Sequence, residues 1–216
     1  MPEPLEVYQL TVGPLAANCF IVRSGGEALI IDPGDEAETV LMAVEEIQAS
    51  PAAILVTHGH FDHFGAVQQV AGSCKATVYV GAADAAQMAD PARGPLAGFP
   101  VAAVTAATVE LDREQELEFF VPVTAIPTPG HSPGSYTYAI AGHLFAGDLI
   151  FQGSVGRTDL PGGSMDELLR SIAGLVRRFA PDTAVHCGHG PDTSLGRELA
   201  LNPFFAPLRH DPEHRW

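Results

Sequence analysis

Short apolar runs punctuated by glycine, proline or aspartate alternate with amphipathic stretches along this chain, which is the pattern of strands interleaved with helices. Strands are predicted over Leu5–Val12, Asn18–Arg23, Ala28–Asp32, Ala52–Thr57, Thr77–Val80, Glu116–Phe120, Thr124–Thr128, Ser135–Ile140, Leu144–Ala146 and Thr183–His186. Between them the period lengthens to that of a helix. Asp35 with Glu38 predicts a capped helix burying Val40, Leu41, Val44 and Ile47, and Ser164 with Glu167 predicts another before Leu168, Leu169, Ile172, Leu175 and Val176. Shorter helices are expected near Gly65–Ala71 and Ser194–Leu201, while alanine-rich Gly81–Ala86 reads as a helix start or a solvated face. Pro91–Pro100 reads as a loop. With no long linker and no internal repeat, the pattern predicts a single α/β domain over residues 1–216.

Composition narrows the setting. At 46% hydrophobic over 216 residues the chain can bury a substantial core, and a net charge of −15 sets it against nucleic acid and anionic membrane surfaces by repulsion. Met1–Leu10 lacks the basic start and apolar core of a signal peptide, and no apolar run reaches the roughly 18 residues of a membrane span. Cys19, Cys74 and Cys187 are odd in number and lack Cys-x-x-Cys spacing, so a reducing cytoplasm is expected and Cys187 reads as a buried small side chain. Oligomeric state is not legible.

The chemistry concentrates at predicted strand ends. His58-Gly59-His60-Phe61-Asp62-His63 packs four ligand-type side chains into six residues, which a tight loop can gather around one point. His131 follows in Pro129-Gly130-His131-Ser132-Pro133-Gly134, Asp148 in Gly147-Asp148, and His189 in Gly188-His189-Gly190. Glycine beside each lets backbone approach a crowded site. Singly, His131 or His189 could be a hydrogen-bonded core histidine and Asp148 a cap; together with the first cluster they read as a metal-binding set. Asp32, at Asp32-Pro33-Gly34, reads at least as well as a turn former as a partner for a ligand histidine, and is left outside the site. His143 is expected in a hairpin turn, His186 in or near the last strand, and His210 and His214 in a tail; none joins the set.

In these motifs the chain resembles the metallo-β-lactamase fold hydrolases. Gly153-Ser154-Val155-Gly156-Arg157-Thr158-Asp159 and Asn202-Pro203-Phe204 are similar to the bacterial glyoxalase II-like branch. The resemblance implies a four-layer αββα sandwich, which the element order suits. It implies that His58, His60 and His131 hold one metal, that Asp62, His63 and His189 hold another, and that Asp148 bridges both. It also implies that the loop of Arg157 borders the substrate, where Arg157 could bind a carboxylate by two hydrogen bonds or pair with Asp159 at the surface. The β-lactamases usually carry cysteine where this chain has Asp148, which sets it apart from them.

The donor set by itself suits two divalent ions, zinc foremost, with iron or manganese as alternatives. A water between two such cations has its pKa lowered from 15.7 towards about 7, and Asp62 can additionally orient the resulting hydroxide. The function expected is hydrolysis of a small-molecule thioester, as by a hydroxyacylglutathione hydrolase. Full-length relatives carry a helical glutathione-binding region after the last ligand; only a short stretch follows His189, so no separate C-terminal domain of that kind is expected. Two alternatives stand beside this. One is a persulfide dioxygenase holding a single iron through His58, His131 and Asp148, and the other is a non-catalytic module that uses metal only to fold.

Overall fold

The computed structural model describes residues 4–93 and 100–210. Part of the expected Pro91–Pro100 loop, and His214, lie outside the described residues. The first sheet opens with an antiparallel meander of β1 (Glu6–Val12), β2 (Ala17–Ser24) and β3 (Glu27–Ile31). Helix α1 (Ala37–Glu46) then crosses over to β4 (Ser50–Leu55), α2 (Phe61–Phe64) and α3 (Val67–Cys74) to β5 (Thr77–Gly81), and α4 (Ala82–Ala89) towards β6 (Thr108–Leu111). Each crossover returns the chain in the same direction, so β3 to β6 pair in parallel.

The second sheet is an antiparallel run of β7 (Gln115–Glu118), β8 (Pro122–Pro127), β9 (Tyr136–Ile140) and β10 (His143–Gly147). A small hairpin of β11 (Ile150–Phe151) and β12 (Ser154–Val155) precedes α5 (Met165–Arg178), after which β13 (Ala184–Cys187) joins β10 in parallel. Finally β14 (Thr193–Ser194) closes that edge, followed by α6 (Leu195–Leu201) and a 3-10 turn over Pro203–His210.

Alternation along the strands sorts side chains into three apolar layers. In β2, Phe20 and Val22 face the second sheet with Leu29, Ile31, Leu55, Tyr138 and Phe145, whereas Cys19 and Ile21 face α1 and α3 with Ile30, Ile54, Val40 and Val67. The third layer buries Leu168, Ile172, Leu175 and Val176 of α5 against Leu144 and Val185, each contributing roughly 1.5–3 kcal/mol relative to exposure. Helix, sheet, sheet, helix is therefore the order of layers, as expected from the sequence.

Several local expectations change. Thr108–Leu111 pairs with β5 although only Leu111 is buried, so its strand carries almost no apolar signal. The hairpin of β11 and β12 and the short β14 were likewise not expected. At α1 the cap is Glu36, in a left-handed conformation with φ 51° and without a side-chain cap bond; Asp35 instead accepts from the Glu36 N–H. Ser164 does cap α5, accepting from the Glu167 N–H.

Candidate metal centre

Four chain segments bring their ends to one rim of the sandwich. After β4 the chain passes Thr57, His58 and Gly59 and enters α2 with His60 as its N-cap residue. The expected loop is thus only half the cluster: His58 and His60 lie before the helix, and Asp62 and His63 in its first turn. A side chain at Gly59 would collide with Gln87 and Asp84, which explains the glycine between two ligand-type histidines. His131 comes from the turn between β8 and β9, Asp148 from the end of β10, and His189 from the end of β13.

The seven side chains singled out from the sequence converge. One donor atom from each of His58, His60 and His131 lies within 4.8 Å of the others, and the same holds for Asp62, His63 and His189. Asp148 stands between the two groups. Its Oδ1 is 3.4 Å from His63 Nε2, and its Oδ2 is 3.5 Å from His131 Nε2 and 3.7 Å from His189 Nε2.

Hydrogen bonds behind the rings decide which nitrogen faces inward. Thr57 Oγ1 donates to Asp32 Oδ2 at 2.6 Å, which leaves it to accept from His58 Nδ1 at 3.0 Å. His63 Nδ1 donates to Asp32 Oδ2 at 3.0 Å, His131 Nδ1 to the Arg157 carbonyl at 2.8 Å, and His189 Nδ1 to the Leu15 carbonyl at 3.1 Å. In all four, Nε2 then carries a lone pair into the centre. His60 turns Nδ1 inward instead, 2.8 Å from His131 Nε2.

That arrangement lacks a positive charge. His63 Nε2 and His189 Nε2 face each other at 3.3 Å although both rings have spent their hydrogens elsewhere, and buried His58 Nε2 and Asp148 Oδ1 have no hydrogen-bond partner. Orphaned buried acceptors of this kind are costly unless a cation takes them. The electrostatics agree: burial opposes a charged His63, yet the nearby Asp148 charge and the bond to Asp32 raise its pKa well above the ordinary value. His189 is raised too, its burial outweighed by Asp62 and Asp148. Asp148 is pushed down despite burial, chiefly by His63. In the other half, burial and the neighbouring imidazoles hold His58 well below its usual value and bring His60 to about 4, so both are neutral donors near pH 7. The donor set fits two divalent ions.

Asp32 corrects the sequence reading. It is no turn-capping aspartate but is 2% exposed, with φ 50°, and accepts from Thr57 N, Thr57 Oγ1 and His63 Nδ1. One carboxylate thereby orients His63 directly and His58 through Thr57. The sequence signal for it was position alone, at the carboxyl end of a strand parallel and adjacent to β4. Asn18 and Asp84 were missed outright. Asn18 Nδ2 donates to the Cys187 and Gly190 carbonyls on either side of His189. Asp84, in the stretch read as a helix start or solvated face, is 1% exposed and accepts from Gly59 N, Ser132 Oγ and Gly134 N.

Arg157 lies beside the centre, because its carbonyl holds His131, but its guanidinium makes two 2.7 Å bonds to Asp159 at the surface. Phe151 sits edge-on to His189 with ring centroids 6.2 Å apart. His143 opens β10, and His186 lies within β13; they bond to each other and not to the seven. Cys187 is buried, and all three cysteines are free. Among the described residues no helix is long and apolar enough to cross a membrane.

The sequence model described as Metallo-beta-lactamase superfamily matches residues 12–189. The probable metallo-hydrolase YqgX of Bacillus subtilis is 39% identical over 202 residues, 91% of this chain and 95% of that protein. Hydroxyacylglutathione hydrolase GloC of Haemophilus influenzae is 30% identical over 207 residues, 93% of this chain and 98% of its own. The crystal structure of BLEG-1 B3 metallo-beta-lactamase superposes with a TM-score of 0.88 at 37% identity, covering 93% of this chain and 100% of that one. TTHA1623 in a di-iron-bound form superposes at 0.79 with 36% identity, covering 91% and 99%.

Proposed function

Because the chain belongs to the metallo-beta-lactamase superfamily, we propose that it is a metal-dependent hydrolase of a small-molecule thioester, of the hydroxyacylglutathione hydrolase type. In this reading His58, His60 and His131 hold one divalent ion, Asp62, His63 and His189 hold a second, and Asp148 touches both. Zinc is the ion we assign from the imidazole and carboxylate donors, with iron next in view of the di-iron form of TTHA1623. Bound there, the pair supplies Lewis acidity that lowers the pKa of a water towards about 7 and polarises a carbonyl oxygen.

The chain's own groups then orient and receive protons. Asp62 is held ionised because, against its burial, His189 and His63 favour the charge. Its Oδ2 points at His189 Nε2, 3.2 Å away, so Oδ1 remains as the acceptor that aligns the attacking water. Asp148, also ionised, has no proton to give.

The observation that carries the thioester assignment is that, once ions take the lone pairs of His63 and His189 in place of the proton their raised pKa values invite, no acid remains among the described residues of the centre. Four imidazole N–H groups are committed to Thr57, Asp32, the Arg157 carbonyl and the Leu15 carbonyl, and His60 turns its second nitrogen away. An alkoxide or amide nitrogen departs far more readily when protonated, whereas a thiolate, with a conjugate acid of pKa about 8.5, departs as it is. The likeness to GloC supports the same substrate class. Arg157 is the proposed handle for a substrate carboxylate, exchanging Asp159 for it. The three free cysteines fit a cytoplasmic setting, and the net charge of −15 fits a small-molecule partner in place of nucleic acid or a membrane.

The BLEG-1 likeness favours a second reading, β-lactam hydrolysis. A side-by-side assay separates them: metal analysis of purified protein, thiol release from S-lactoylglutathione, ring opening of a chromogenic cephalosporin, and oxygen uptake on glutathione persulfide. About two ions per chain and thiol release as the fastest reaction are expected. Faster ring opening overturns the leaving-group argument, and one iron per chain with persulfide-dependent oxygen uptake overturns hydrolysis itself.

A further inference from the structure

Asp84 lies on α4, which contributes no ligand-type side chain to the centre, yet its carboxylate joins two ligand segments. Oδ2 accepts from the Gly59 N–H at 2.8 Å, in the peptide between His58 and His60, and from Ser132 Oγ at 2.6 Å, next to His131. Oδ1 accepts from the Gly134 N–H at 2.9 Å, at the far end of the His131 turn. Glycine is required on both sides: a Cβ at Gly59 or at Gly134 would press into the Asp84 side chain. Ser132 is itself fixed by a 2.7 Å contact with Ser135 Oγ.

The other half of the centre is supported by different groups. His63 leans on Asp32, His189 on the Leu15 carbonyl, and the peptides around His189 on Asn18. None of these bonds passes through Asp84. We infer that Asp84 is a positioning residue that sets metal affinity in the His58, His60 and His131 half of the centre and leaves the Asp62, His63 and His189 half untouched. The inference rests on the metal reading above. A carboxylate is needed in place of an amide, because every group facing it is a donor; an amide NH2 would oppose at least one of them. Buried without a basic side chain paired to it among the described residues, its charge also favours a cation nearby over none.

Stepwise Co2+ titration of the metal-free protein, followed by visible absorption, tests this without reference to turnover. His131→Ala and His189→Ala identify which binding step belongs to which half. Asp84→Asn is expected to weaken the step lost in His131→Ala on the order of 10–100-fold and to leave the step lost in His189→Ala at its wild-type affinity. Ser132→Ala, which removes one of the three bonds without introducing a clash, shifts the same step by less; it carries the test if Asp84→Asn does not fold. Equal weakening of both steps, as general loosening would produce, overturns the inference, and so does wild-type binding in both variants. Failure of the wild-type protein to bind Co2+ is a separate result, which defeats the metal reading itself.

Discussion

Two histidine clusters in this protein are built from the same side chains and differ in where their protons go. In the first, His63 Nε2 and His189 Nε2 meet at 3.3 Å with both N–H groups turned outward, to Asp32 and to the Leu15 carbonyl. In the second, His186 Nδ1 donates to Asp192 Oδ2 at 2.6 Å, and His143 Nδ1 lies 3.0 Å from His186 Nε2, so every facing lone pair meets a hydrogen. The second is a closed chain, stacked on Phe145 with rings 4.5 Å apart, and it needs nothing more. The first is complete only with positive charge between its nitrogens. Proximity of imidazoles is thus a poor guide to a metal site; the acceptors behind them discriminate.

Breaking the first cluster at its shared member has the largest effect. Asp148→Ala removes the carboxylate that faces both groups of donors, so turnover is expected to vanish and metal content to fall below two ions per chain by elemental analysis. Unchanged turnover with both ions retained refutes its place between them. Asp32→Asn acts one layer back. Its amide cannot accept from Thr57 N, Thr57 Oγ1 and His63 Nδ1 together, so metal affinity is expected to drop on the order of 10–100-fold. Competition with a chelator of known affinity measures it, and a wild-type value would show that the rings orient themselves without that carboxylate.

This contrast also marks how far the sequence could be read. The seven ligand-type residues were legible because four of them crowd into His58–His63 and the other three each stand at a strand end beside glycine, and strand ends are visible as breaks in apolar runs. The sandwich was legible through the resemblance carried by the ligand motifs, which the order of strands and helices suited; in the structure every second residue of β2, β3, β8 and β9 is committed to the space between the sheets. Asp84 and Asn18 were not, and Asp32 only as one of two readings, since their partners are main-chain or side-chain groups brought up by other segments, and nothing in the local pattern distinguishes a buried acceptor from a turn former. The Leu15 carbonyl that orients His189 leaves no trace in side-chain identity at all. For the same reason β6 was missed: its pairing with β5 is main-chain chemistry, and Thr108, Val109 and Glu110 remain exposed.

The smallest effect is expected in the second cluster, and it sharpens the comparison most. His143→Ala leaves His186 Nε2 without its hydrogen while His186 keeps its bond to Asp192, so one neutral hydrogen bond at a half-buried position is lost. A loss of about 0.5–1.5 kcal/mol follows, visible as a fall in Tm of about 2–4 °C per kcal/mol for a chain of this size. Burial and the adjacent His186 already hold His143 below the usual histidine pKa, so it is neutral near pH 7 and its removal takes no charge from the protein. Metal content and turnover should therefore stay at wild-type values while Tm falls. Loss of metal in this variant would join the two clusters into one system, and the distinction drawn from their proton directions would no longer hold.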